Sequence, residues 1–196
     1  MSRRVLVIGA IVLMAIAGSW WLVRTIANRR GSTTAATAPA AAPATTATAA
    51  RKITATLYYV SEDGMNLVGA QREVPYGETV LDQAREIVIA QLAPPPDPLA
   101  SAIPASTTLR TLYLTERGDA FVDLSADART KHTGGALDEL FAVYAIVNAL
   151  TTNLPAIVRV QILIDGKEVD TLAGHVDLRH PLQKNVKWVK TDKGET

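Results

Sequence analysis

The sequence predicts an α+β fold: two helices packed on a mostly antiparallel or mixed sheet, in the order ββαββαββ, preceded by one transmembrane helix. Three observations predict it. Val80 to Leu92 and Leu137 to Leu150 repeat apolar residues at helical spacing. Short runs rich in β-branched and aliphatic residues stand in pairs around them, separated by Gly-containing or Asp-Gly turns. An uncharged run, Val5 to Val23, has about the length a helix needs to cross the hydrocarbon core.

The chain begins with a basic tip, residues 1–4, read as cytoplasmic, and continues into the span, taken as residues 5–26. Arg residues close both ends of the uncharged run, and Trp20 and Trp21 stand where interfacial aromatics belong. A cleaved signal peptide would have an apolar core of only about 7 to 15 residues. Ala36-Thr37-Ala38 also lies too far downstream to be its cleavage point. An uncleaved anchor, single-pass in the inner (cytoplasmic) membrane, is therefore expected. Arg3 and Arg4 oppose Arg24, Arg29 and Arg30, so charge alone leaves the orientation open; the folded part is expected outside the cytoplasm. Residues 27–50 are rich in Ala, Thr and Pro and read as a disordered linker with nothing large to bury. Extended like polyproline, Gly31 to Ala50 would reach about 60 Å from the bilayer.

Residues 51–182 form the expected domain, with 183–196 as a tail or edge strand. Ile53 to Val60 and Asn66 to Val74 flank the turn Ser61-Glu62-Asp63-Gly64 as a hairpin. Thr79, with Asp82 three residues later, starts a helix whose face carries Val80, Leu81, Ala84, Ile87, Val88 and Leu92. Pro94, Pro95 and Pro96 must end it, because proline cannot donate to the helical ladder. Ala93 to Thr108 is a long loop containing Pro98 and Pro104, a binding element or a mobile connection. A second hairpin joins Leu109–Thr115 to Ala120–Leu124.

Thr133 is expected to cap the central helix, with Gly134 and Gly135 turning the chain into it. Leu137, Leu140, Phe141, Tyr144, Val147 and Leu150 form its apolar face, and Asn148 beside them is expected to bond a neighbouring backbone group. Pro155 marks the exit. Ile157 to Ile164 is nearly continuously apolar, as in a strand covered on both sides. Asp165-Gly166 suits the positive φ angles of a two-residue hairpin, after which Glu168 to Leu172 should return. Asn185 to Lys190 could add an edge strand anchored by Trp188.

The first fifty residues hold five Arg and no acidic residue, so residues 51–196 carry 15 basic against 19 acidic side chains. A mildly acidic domain without a basic stripe argues against nucleic acid. The absence of Cys excludes disulfides, thiolate metal sites, cysteine nucleophiles and lipid attachment through cysteine. No nucleophile elbow, phosphate loop, dinucleotide fingerprint or zinc helix motif is present.

Glu139 invites a general-base reading but stands in the first turn of the central helix, where a carboxylate also complements the helix dipole. No second carboxylate is placed beside it for glycoside hydrolysis. His175, Asp177 and His180 are ligand types in an unfavourable spacing, since odd separation points His180 away from the other two. Turn and edge hydrogen bonding suits them better. Catalytic residues, metals and cofactors are therefore all expected to be none. Glu139, Asn148, Asp165, Gly166, His175 and Asp177 remain as interaction or structural-motif positions.

Gly134-Gly135, Glu139, the run Ile146 to Thr151, Val160 to Gly166 and Gly174-His175-Val176-Asp177-Leu178 through Pro181 resemble the GerMN domain, a sporulation and spore-germination module of bacteria. Ser101 to Pro104 and Val122 to Ser125 agree with it. The resemblance spans roughly Ile53 to Leu182. It implies an α+β module similar to the ring-building folds of envelope secretion assemblies, held outside the cytoplasm by a lipid or a membrane helix. The chain departs from the sporulation pattern in having one copy rather than two and no cysteine. The expected function is a non-catalytic interaction or scaffolding module of the cell envelope, with the membrane and envelope proteins as partners. Binding of a peptidoglycan fragment or small ligand is the alternative, with a wall hydrolase third.

Overall fold

The computed structural model describes residues 51–190. The expected tip, span and linker lie outside these residues, as do the last six positions of the expected tail. Among the described residues, no helix is long and apolar enough to cross a membrane.

The chain forms β1 (Lys52–Val60), β2 (Leu67–Pro75), α1 (Val80–Leu92), β3 (Leu109–Leu114), β4 (Asp119–Leu124), a four-residue α2 (Asp127–Thr130), α3 (Ala136–Asn153), β5 (Arg159–Ile164), β6 (Lys167–Glu168) and β7 (Leu182–Gln183). The α+β class and the mixed pairing follow the sequence, but the strands divide between two sheets. β1 and β2 pair only with each other as named strands; the second sheet runs β3-β4-β5, with β6 and β7 both on β5. β4 and β5 are parallel and α3 is their crossover, the long connection that parallel strands require. The other pairings are antiparallel.

The hairpin stays separate because side chains, not a strand, occupy β1's outer edge. Alternate residues of an antiparallel strand turn their peptide groups outward. On β1 these are Lys52, Thr54, Thr56, Tyr58 and Val60, and the last three are met from within the chain. The Asn153 carboxamide bonds both the N–H (2.9 Å) and the C=O (2.8 Å) of Thr56. Gln91 does the same for Tyr58, at 2.9 and 2.7 Å. Ala100 of the proline loop exchanges both bonds with Val60. The long loop is thereby tied to the sheet, with Ile103 buried and the Pro94 carbonyl bonded by Arg72.

Thr79 caps α1, accepting from Asp82 N at 3.1 Å, as its spacing predicts. Thr133 does not cap α3. Gly134 and Gly135, at φ 86° and 97°, redirect the chain, so Gly135 occupies the cap position and no side chain bonds the first turn. Residues from Phe141 to Leu150 are buried on almost every side, as in a helix enclosed by its neighbours. α3 packs against β1, α1 and β5. Asp165 and Gly166 have φ of 51° and 75°, the pair of positive angles expected of a two-residue hairpin.

The return strand is shorter than expected: β6 ends at Glu168, because Leu172 onward folds across the start of α3. The edge strand on β5 is Leu182–Gln183 rather than Asn185–Lys190. The later segment instead bridges β2 in parallel at Leu67, where Leu67 N bonds Trp188 O and Lys190 N bonds Leu67 O.

Candidate functional site

Two of the predicted positions, Glu139 and His175, meet at the start of α3. The Glu139 side chain is wholly buried, while that of His175 is 44% exposed. Leu172 N–H donates to Glu139 Oε1 at 2.8 Å and His175 N–H to Oε2 at 2.7 Å. The imidazole Nδ1 lies 3.1 Å from the same Oε2. A buried carboxylate is costly unless it is richly bonded. Burial pushes the Glu139 carboxyl up, but the N–H groups of Ala173, His175 and Leu172, with the His175 ring, outweigh it and hold it below its ordinary value. A carboxylate held ionised by peptide N–H groups is a poor proton acceptor and a strong anchor. The geometry therefore gives Glu139 a partner beyond the helix dipole: the Leu172 to His175 loop, more than thirty residues away.

The other positions stand apart. Asn148, buried in α3, clamps Asn185, donating to its carbonyl at 2.8 Å and accepting from its N–H at 2.9 Å. Asp165 and Gly166 form the β5–β6 turn, where Gly166 N–H donates to Asp123 Oδ1 at 2.7 Å. Arg110 bridges Asp123 at 3.2 Å and Asp165 at 3.5 Å. Asp177 is exposed and engaged twice by the Arg179 guanidinium, at 2.9 and 2.7 Å, which holds its carboxyl far below the usual range. Asp177 and His175 thus each have a different partner. Among the described residues, no three His, Asp or Glu side chains converge as a metal site.

Sequence reading singled out Asn148 but missed the other carboxamides that bond backbone groups. Gln83 bonds Pro75 O and Gly77 N, Gln161 bonds the Leu178 carbonyl, and Gln91 and Asn153 finish β1. A signal was present, since Gln91 continues the stripe of Ala84, Ile87 and Val88, and a polar residue on an apolar stripe needs a partner. Two open hollows, of about 280 and 290 Å³, indent the surface. One is lined by Ser61, Glu62, Asp63 and Lys190, and the other by Ile89, Leu92, Ala93, Thr107, Thr108 and Leu109. Neither includes Glu139 or His175.

Three solved structures share this architecture. A Clostridium perfringens protein named as a candidate lipoprotein is 25% identical, with a TM-score of 0.50 over 68% of this chain and 88% of that one. The tandem GerMN domains of the sporulation protein GerM from Bacillus subtilis match at 19% identity and a TM-score of 0.53, over 68% of this chain and 46% of theirs. The first GerMN domain of the same protein matches at 19% and 0.53, over 67% of this chain and 97% of its own. At that identity the two GerM likenesses speak for the fold alone. No curated protein matches. The profile of the Germane family, described as sporulation and spore germination, matches residues 56–170. With more than half of the sequence inside that match, the chain belongs to the Germane family, the GerMN domains of sporulation and spore germination.

Proposed function

We propose that the chain is a non-catalytic, membrane-anchored, extracytoplasmic module that binds or scaffolds other proteins of the cell envelope. The observation that carries this reading is the use made of Glu139 and His175. Among the described residues they are the acid and the imidazole that come together, and Glu139 is committed to the peptide groups of the Leu172 to His175 loop. Asn148, Asn153, Gln91 and Gln161 are likewise committed to backbone groups. Both hollows are open and away from this pair, which favours a broad protein surface over an enclosed ligand site. The name of the Clostridium perfringens relative supports an envelope location. The uncharged run at the amino terminus supports a helical anchor in place of a lipid, since the chain has no cysteine.

Crosslinking in intact cells tests the proposal. Specific envelope proteins should be captured by the full chain, and a reporter fused after Thr196 should be active only outside the cytoplasm. Saturable binding of a wall fragment, with no protein captured, would transfer the function to the alternative. Peptidoglycan cleavage abolished by Glu139→Gln would make the protein a hydrolase.

A further inference from the structure

The sheet edges differ in what they leave available. On β1, the outward groups at Thr56, Tyr58 and Val60 are bonded within the chain, which leaves only Lys52 and Thr54 at the end of the strand. β3 ends the other sheet, but Leu112, whose peptide groups face away from β4 in this register, is fully buried. No incoming strand can reach it. β2 is different. Its register with β1 turns Leu67, Gly69, Gln71, Glu73 and Pro75 outward. Leu67 is bonded to Trp188 and Lys190, while Pro75 has no N–H and its carbonyl accepts from Gln83. Gly69, Gln71 and Glu73 remain, all exposed and with no partner for their outward peptide groups among the described residues. The chain's own Val189 already adds to this edge, in parallel, at its first rung.

Charge narrows the occupant. Glu73 is paired with Lys52 at 2.9 Å. Arg72 donates to the Tyr59 hydroxyl and the Pro94 carbonyl and meets no carboxylate among the described residues. In a symmetric antiparallel pair of two copies centred on Gln71, Arg72 would stand opposite Ala70 and still lack one. The edge therefore does not complement itself. We propose that the Gly69 to Glu73 edge of β2 binds an extended segment of a different protein, which adds as a strand and brings a carboxylate to Arg72. This proposal rests on the protein-interaction reading and names its surface.

The test places a photo-activated crosslinker at position 73 of the full chain in its own cells, and another at position 113, an exposed site on the other sheet. Gln71→Pro removes one outward N–H and none of the bonds to β1. The expected adduct at position 73 maps to an acidic, extended stretch of one protein. It falls about tenfold in Gln71→Pro, through the lost pairing bond and the bulk of the ring. It stays unchanged in Gln71→Ala and weakens in Arg72→Gln. An adduct indifferent to Gln71→Pro overturns the proposal, as does capture at 113 with none at 73, which leaves the interaction reading standing. Capture at neither position removes both. Should Gln71→Pro lower the melting midpoint, Arg72→Gln decides alone, because it breaks no ladder bond.

Discussion

The two outer edges of the hairpin sheet start from the same backbone chemistry and are finished in opposite ways. On β1, three successive outward residues are met by a helix carboxamide, a second helix carboxamide and a loop peptide. On β2 the first rung is met by the carboxy-terminal segment and the next three are left to solvent. Backbone groups buried in the fold must be paired, whereas those at the surface can use water. The comparison teaches that strand edges here are closed by side chains where helices pass over them. Four substitutions, in falling order of expected effect, sharpen or break that rule.

The largest effect belongs to Glu139, which applies the same device with a full charge. Glu139→Ala removes the acceptor for the Leu172 and His175 N–H groups and should cost about 3 to 5 kcal/mol. Amide exchange should rise at Leu172, Ala173 and His175 before the β4–β5 core opens. The carboxyl is held below its ordinary value in the folded chain, so its contribution is complete above the unfolded value, about 4.3. It is lost as pH falls through the folded value. The stability gap between wild type and Glu139→Ala in urea titrations should therefore be constant near neutrality and close in acid. A gap that persisted in acid would show that shape, not charge, holds the loop.

Gln91 comes next. Its side chain is fully buried against Tyr58, so Gln91→Ala strands a peptide N–H and C=O and leaves a cavity, for about 2 to 3 kcal/mol. Asn153 performs the same task at a partly exposed site where water can replace it, so Asn153→Ala should cost only about 1 kcal/mol. Equal losses would mean that the carboxamides act through packing rather than by completing the edge.

What the sequence made legible follows from range. The hairpins, both long helices, the Thr79 cap and the Asp165-Gly166 turn depend on neighbours within a few positions, and each was readable. Membership of the sheets was not, because it depends on Asn153 reaching Thr56 across nearly a hundred residues. Glu139 was legible as structural, but the helix-dipole reading used only its own turn, and its partners lie more than thirty positions on. Thr133 failed as a cap because two glycines with positive φ separate it from the helix, a conformation that composition permits but does not announce. Asp123 stood only within the run Val122 to Ser125 that carries the resemblance, and nothing near it in sequence announces that it is 3% exposed and secures the Gly166 turn.

The smallest effect is expected on the open edge. Proline inside a strand normally costs a ladder hydrogen bond and leaves its partner carbonyl unmet, about 1 to 3 kcal/mol. Pro75 escapes that cost because its position in β2 faces outward, where no N–H is used. Gln71 faces the same way four residues earlier. Gln71→Pro should therefore cost less than about 1 kcal/mol in urea unfolding, mainly from the restricted φ. The same ring one residue earlier, at Ala70, would delete an N–H directed at Leu57 and bear the full cost. Matched losses at 70 and 71 would mean that β2's outer edge is already paired in the folded protein. A near-neutral Gln71→Pro beside a damaging Ala70→Pro would leave that edge free for a strand from outside, as β1's edge from Thr56 to Val60 is not.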